Sequence, residues 1–216
     1  MCNNHSHEHN HDGHTYSHEH DHNHEEDFIN VPRLGEKAPF FSARTTMGQR
    51  SLDDYNGRWL VLFSYGNNFT PVSATELLDF TRHFENFRAL DAEILAVSGD
   101  SINSHIAWAL SLGEKHGTKI PFPLVADVAG ALSFDYGLIC PNENNEQNAR
   151  CLFIIDDTQK VRFASYYPTE VGRNASEVLR VLSALKTFTG TNMAAPASWQ
   201  TGEEGVKNAP LTIDEV

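Results

Sequence analysis

The chain has 216 residues and a formal net charge of -13, which suits one domain with a substantial core plus extensions rather than two full-sized domains. Its apolar runs are strand-length, far short of the ~20 residues of a membrane span, so no bilayer crossing is expected. The acidic balance lacks the basic footprint that nucleic acid or anionic lipid requires, and neither is expected as a partner.

Residues 1–27 consist mostly of His, Asn, Asp and Glu, too polar to offset the entropy of ordering, and are predicted to be disordered without metal. Residues 1–32 hold seven acids and no Lys or Arg, so the remainder of the chain keeps a charge of only -6. A secretory signal needs a basic start and an apolar centre, which this stretch lacks, so the expected compartment is the cytoplasm. Cys2, Cys140 and Cys151 form neither an even framework nor a Cys-x-x-Cys pair, which fits thiols in a reducing compartment.

Nine histidines in the tail, His5, His7, His9, His11, His14, His18, His20, His22 and His24, are interspersed with polar and acidic residues. Imidazole binds Zn, Ni and Cu, and flexible spacing lets several ligands wrap one ion. No fixed spacing matches a structural zinc site, so the expected mode is weak, multi-ion and exchangeable, suited to buffering or sensing, with Cys2 able to join. Purification tags are usually unbroken histidine runs, which favours a native segment here.

The body, residues 28–188, alternates short apolar runs with amphipathic stretches, the pattern of an α/β sheet. Strands are predicted at Trp59–Tyr65, Glu93–Ser98, Phe122–Val125, Cys151–Asp156 and Val161–Tyr166, the first nearly all apolar, as a strand covered on both faces should be. Helices are predicted over Ser73–Ala89, with Leu77, Phe80, Phe84 and Phe87 at helical spacing, over Asn103–His116, and over Asn174–Thr187. Asp157-Thr158-Gln159-Lys160 predicts a hairpin turn. Residues 189–216 form an extension.

Gly66-Asn67-Asn68-Phe69-Thr70-Pro71 leads from a strand into a helix, so residue 73 lies near a helix N-terminus, where free N–H groups and the macrodipole favour negative charge. Ser73-Ala74-Thr75-Glu76 fits a capping box, which makes Ser73 an N-cap or first-turn hydroxyl. A serine nucleophile would require an oriented imidazole. His83, His105 and His116 lie on predicted helices, where solvated or hydrogen-bonded roles are commoner.

Several landmarks recur in one order from about Pro32 to about Trp199. They include Leu34-Gly35-Glu36-Lys37-Ala38-Pro39, Phe69-Thr70-Pro71-Val72-Ser73-Ala74-Thr75-Glu76, Gly99-Asp100-Ser101, Ile120-Pro121-Phe122-Pro123-Leu124, Arg150-Cys151-Leu152-Phe153 and Gly172-Arg173-Asn174. This set resembles the peroxiredoxins, the one-cysteine branch and its close bacterial relatives in particular. The resemblance implies a thioredoxin-like fold, a homodimer, and reduction of hydrogen peroxide or organic hydroperoxides by an external thiol, with no cofactor in the core. It places the reactive cysteine at Ser73, the catalytic arginine at Arg150, a peroxide-directed hydroxyl at Thr70, and Glu76 and Arg173 behind Arg150. It also implies that Ala194-Ala195-Pro196-Ala197-Ser198-Trp199 begins a C-terminal extension that stops early here.

Serine has no counterpart of the sulfenic acid that sulfur forms on attacking an O–O bond, so the Ser73 chain is expected not to turn over peroxide. Three origins stay open: an engineered serine, a replaced selenocysteine, and a natural non-peroxidase that carries its histidine segment on this scaffold. The departures Tyr65, Gly66 and Ala74 favour the third, while the retained Thr70, Glu76, Arg150 and Arg173 favour the first two. Cys151 is expected to face away from Arg150, since successive strand side chains point to opposite faces. Cys140, beside Pro141, is a resolving or regulatory thiol or a plain loop cysteine.

Overall fold

The computed structural model describes residues 31–140 and 148–209. Trp59–Ser64 (β3) is its centre, six residues buried on both faces. Val61 and Phe63 enter one apolar layer, and Leu60 and Leu62 enter the other. That two-sided burial is why this stretch has no polar alternation.

Ala92–Ser98 (β4) runs parallel to β3, and Leu124–Ala126 (β5) parallel to β4. On the other side, Arg150–Ile155 (β6) is antiparallel to β3 and Val161–Tyr167 (β7) antiparallel to β6. Ser42–Thr45 (β1) and Gly48–Ser51 (β2) complete a seven-stranded mixed sheet of order β2-β1-β5-β4-β3-β6-β7. The five predicted strands are all present, shifted by two residues at most at an end. β1 and β2 had no apolar run to announce them. They are short and polar, and turn at Gly48 with φ of 90°.

Pro71–Arg82 (α1), Phe84–Ala89 (α2), Ile102–His116 (α3) and Ala175–Phe188 (α5) supply Leu77, Phe80, Phe87, Trp108, Leu112, Val178 and Leu182 to the layer that holds Phe63. Ala131–Asp135 (α4) and a single 3-10 turn at Leu52–Tyr55 cover the opposite layer. The fold is thus the expected thioredoxin-like α/β arrangement, a mixed sheet flanked by helices.

The single helix predicted over Ser73–Ala89 is two. His83 ends α1 with φ of -95° and ψ of 1°, and its ring Nδ1 lies 2.9 Å from the Asp79 carbonyl oxygen. A side chain that competes for its own helix's carbonyl favours a break. Beyond α5, Met193–Ala194 (β8) pairs with Val206–Lys207 (β9). Between them Trp199 is buried with its ring centroid 5.3 Å from that of Phe188, and its Nε1–H donates to the Glu203 carbonyl at 2.9 Å. Among the described residues no helix is long and apolar enough to cross a membrane.

Candidate active site

The chain leaves β3 at Ser64 and enters α1 at Pro71, and Thr70 is the N-cap with extended φ and ψ of -92° and 142°. Pro71 at the first helical position fixes this boundary, because its ring presets φ and it has no N–H to leave unsatisfied. Ser73 is therefore not the N-cap but a first-turn hydroxyl, the second of the two roles expected for it. Nor does Glu76 close a capping box back onto Ser73. It points inward, 1% exposed, toward two arginines.

Glu76 Oε1 accepts from the Arg173 backbone N–H at 2.9 Å and from Arg173 Nε at 2.7 Å. Its Oε2 accepts from Arg150 Nη1 at 2.7 Å and Arg173 Nη2 at 2.9 Å. These four bonds occupy the carboxylate's acceptor sites. Arg150 Nε donates to the Thr169 carbonyl at 2.8 Å, and Arg173 Nη1 to that of Cys151 at 2.6 Å. Arg173 also lies over the Phe63 ring, 5.0 Å from its centroid. Two guanidiniums around one carboxylate leave a net buried charge of +1.

Arg150 Nη1 directs that excess at residue 73, 3.3 Å from Ser73 Oγ. Thr70 Oγ1 lies 2.8 Å from the same oxygen and 2.7 Å from the Asn67 carbonyl oxygen. Ser73 itself is fully buried. An anion at position 73 would thus meet a guanidinium, a neighbouring hydroxyl and the N-terminal end of α1, the setting that lowers a thiol's pKa. An alkoxide is too basic to profit from it.

The structure brings all five predicted site residues, Thr70, Ser73, Glu76, Arg150 and Arg173, into one hydrogen-bonded cluster. Arg150 is buried rather than a solvated strand end. The side chains bonded to Ser73 Oγ are those of Thr70 and Arg150, neither of them an imidazole. Cys151 faces the opposite layer, as alternation along a strand requires. The histidines of the tail, His5 to His24, and Cys2 lie outside the described residues. Among the described residues, no group of three His, Cys, Asp or Glu is placed to hold a metal ion. A recess of about 740 Å³ lined by Met47, Ile106, Leu110 and Ile120 contains none of the five residues.

A second polar cluster holds the segment that delivers Thr70. Tyr65 is fully buried, its hydroxyl 3.0 Å from His105 Nδ1 and 3.1 Å from Asn68 Oδ1. His105 Nε2 faces the Val125 carbonyl at 3.0 Å, so that nitrogen carries the proton and Nδ1 is left as an acceptor. Burial lowers the His105 pKa, against the opposing pull of Asp100 and of the bond to the Val125 carbonyl. Asp100 Oδ2 accepts from the Asn68 N–H and from Ser98 Oγ, both at 2.8 Å. His83 is hydrogen-bonded too, its Nε2 3.1 Å from Ser176 Oγ. Next to this cluster Phe69 adopts a left-handed φ of 60°, at a cost of about 1 kcal/mol.

Residues 34–164 match the model of the AhpC/TSA family. The chain belongs to this family, the peroxiredoxins. It is 44% identical over 181 residues to "Peroxiredoxin 2" of Thermoplasma acidophilum, covering 84% of this chain and 90% of that one. It is 42% identical over 192 residues to a peroxiredoxin of Aquifex aeolicus, covering 87% and 86%. Among solved structures it is similar to a cysteine-to-serine mutant of peroxiredoxin 6 of Arenicola marina, with a TM-score of 0.78, 32% identity and coverage of 85% and 86%. A yeast mitochondrial 1-Cys peroxiredoxin aligns with a TM-score of 0.75 and 31% identity, over 81% of this chain and 86% of that one. Peroxiredoxins are thiol-dependent peroxidases that use a hydroperoxide and a thiol reductant.

Proposed function

We propose that Thr70, Ser73, Glu76, Arg150 and Arg173 form a hydroperoxide-reducing site that requires sulfur or selenium at position 73, and that the Ser73 chain does not turn over peroxide. The observation that carries this is the contact of Arg150 with both Glu76 and Ser73 inside a buried cluster of net charge +1. In that role Arg150 stabilises the thiolate and the oxyanion released from the O–O bond. Thr70 orients the peroxide, and Glu76 with Arg173 hold Arg150 in place.

The test is hydrogen peroxide consumption with an external dithiol, comparing this chain with Ser73→Cys. Consumption should rise by at least ~10³-fold in the variant, the scale expected when a missing nucleophile is restored. A folded Ser73→Cys protein with no gain would show that the site serves something other than peroxide reduction.

The same proposal places the protein in the cytoplasm as a homodimer. Thiol cysteines support the first, since disulfides are rare in that compartment. The second is supported by the edge position of β7 in the sheet, where Gly35 and Glu36 bond the backbone of Val161 and the rest of the strand is in place to pair with another copy. Sedimentation at a monomer mass would remove the dimer.

For the tail we propose exchangeable Zn, Ni or Cu binding through His5, His7, His9, His11, His14, His18, His20, His22 and His24. Zinc calorimetry at mildly alkaline pH should show more than one equivalent, lost below pH ~6 as the imidazoles protonate. Deletion of residues 1–27 should abolish it, and an unchanged stoichiometry would refute the assignment.

A further inference from the structure

Two thiols meet on the face of the sheet opposite Ser73. Cys151 of β6 is fully buried, and its Sγ lies 4.0 Å from the carbonyl oxygens of both Gly137 and Leu138, in the segment that leads to Cys140. Cys140 packs against the same apolar cluster but is only half-buried. Its thiol is near enough to that of Cys151 to help raise the Cys151 pKa. Both sulfurs also act on Tyr166 of the edge strand β7, the register partner of Cys151.

The two cysteines differ in ways that divide the labour between them. Burial first, then the Cys140 thiol, push Cys151 up to about 12, so Cys151 stays protonated. Its backbone is held at both ends: the N–H donates to Ser64 Oγ at 3.0 Å, and the carbonyl accepts from Arg173 Nη1 at 2.6 Å. Cys140 is the partner that solvent reaches, and so the one an oxidant meets first.

We propose that Cys140 and Cys151 form a reversible dithiol–disulfide site, oxidised by a hydroperoxide at Cys140 and closed by Cys151. The Cys140 thiolate attacks one peroxide oxygen and the O–O bond breaks. The other oxygen leaves with a proton as alcohol or water, and the sulfur becomes a sulfenic acid. Cys151 sulfur then displaces the hydroxyl from Cys140, its own proton leaving with that hydroxyl as water, and the S–S bond forms. Two electrons have passed from the sulfur pair to the peroxide, and an external dithiol returns them by exchange. No step involves position 73, so this site stands or falls independently of the peroxidase reading.

The experiment uses the full-length Ser73 chain. It is treated with a few equivalents of hydrogen peroxide, unfolded in an alkylating agent, and mapped by peptide mass spectrometry. The expected product is a Cys140–Cys151 cross-linked peptide, lighter by two hydrogens and abolished by dithiol treatment. Cys2→Ser should retain it and Cys140→Ser should lose it. In Cys151→Ala, checked for fold by circular dichroism, the Cys140 sulfenic acid should accumulate and be captured by dimedone. Recovery of both cysteines alkylated, conversion of Cys140 to a sulfinic acid with Cys151 still reduced, or a bond from either to Cys2 would overturn the proposal.

Discussion

Replacing Glu76 with glutamine removes the one negative charge between two buried guanidiniums while keeping the side chain's size. The new amide can keep its oxygen toward the Arg173 N–H and Nε, the partners now at 2.9 and 2.7 Å. Its nitrogen must then face Arg150 Nη1 and Arg173 Nη2, donor against donor, where Oε2 now accepts from both. Two charge-assisted bonds disappear at about 1.5–3 kcal/mol each, which agrees with the ~3–5 kcal/mol typical of breaking a buried pair. Taking ~4 kcal/mol and a urea dependence of ~2 kcal/mol per molar, the unfolding midpoint should fall by about 2 M. Urea titration followed by circular dichroism measures this, and Glu76→Leu is a useful companion because it strands both guanidiniums. A midpoint shift below ~0.3 M with unchanged slope would mean that the cluster is relieved by solvent, and would sink the argument that Glu76 holds Arg150 in place.

In a Ser73→Cys background, the new thiol should titrate below ~7.5, read from the pH dependence of alkylation. Adding Arg150→Met should raise that value by ~1–3 units; no change would remove the guanidinium from its role. His105, held by burial below its ordinary value, takes up its proton sooner in the unfolded chain. Its contribution is therefore complete above pH ~6.5 and declines below it, by at most ~1.4 kcal/mol per pH unit. His105→Gln should flatten the difference in urea stability between pH ~6.5 and ~5.5, and an unchanged slope would count against it. Trp199→Ala should lose ~3–5 kcal/mol of packing, more than the short β8–β9 pairing can resist. Limited proteolysis should then trim the chain back to the end of α5 while the sheet unfolds at its usual temperature; an unaltered digestion pattern would contradict this.

The parts of the fold that could be read from sequence are those where burial dictates residue type. Trp59 to Ser64 is apolar because both faces are covered, and Leu77 with Phe80 mark the inner side of α1. β1 and β2 escaped because a polar four-residue strand reads like a loop. The end of α1 at His83 escaped because Phe84 and Phe87 continue the apolar spacing past it, and the break comes from a ring-to-carbonyl contact. At the site, the five polar residues emerged through resemblance and chemistry together, but the N-cap fell to Thr70 because Pro71 outranks a serine hydroxyl in fixing a helix start. The Tyr65–His105 contact spans 40 residues of chain and joins the end of β3 to α3. No local spacing encodes it, and Tyr65 stood out only as a departure from the family's pattern.

Hydroxyl groups carry one proton each, and that count gives the contacts around Thr70 a direction. The Asn67 carbonyl can only accept, so the Thr70 proton is committed to it and Ser73 must aim its own proton at Thr70. The lone pairs of Ser73 are thereby turned toward Arg150, and every polar atom in the chain Arg150–Ser73–Thr70–Asn67 is satisfied. Serine rests here without frustration. A thiolate in its place has no proton to give, so Thr70 would have to swing its hydrogen away from Asn67 and toward the sulfur, a reorientation that exposes the difference between a settled oxygen and a primed nucleophile.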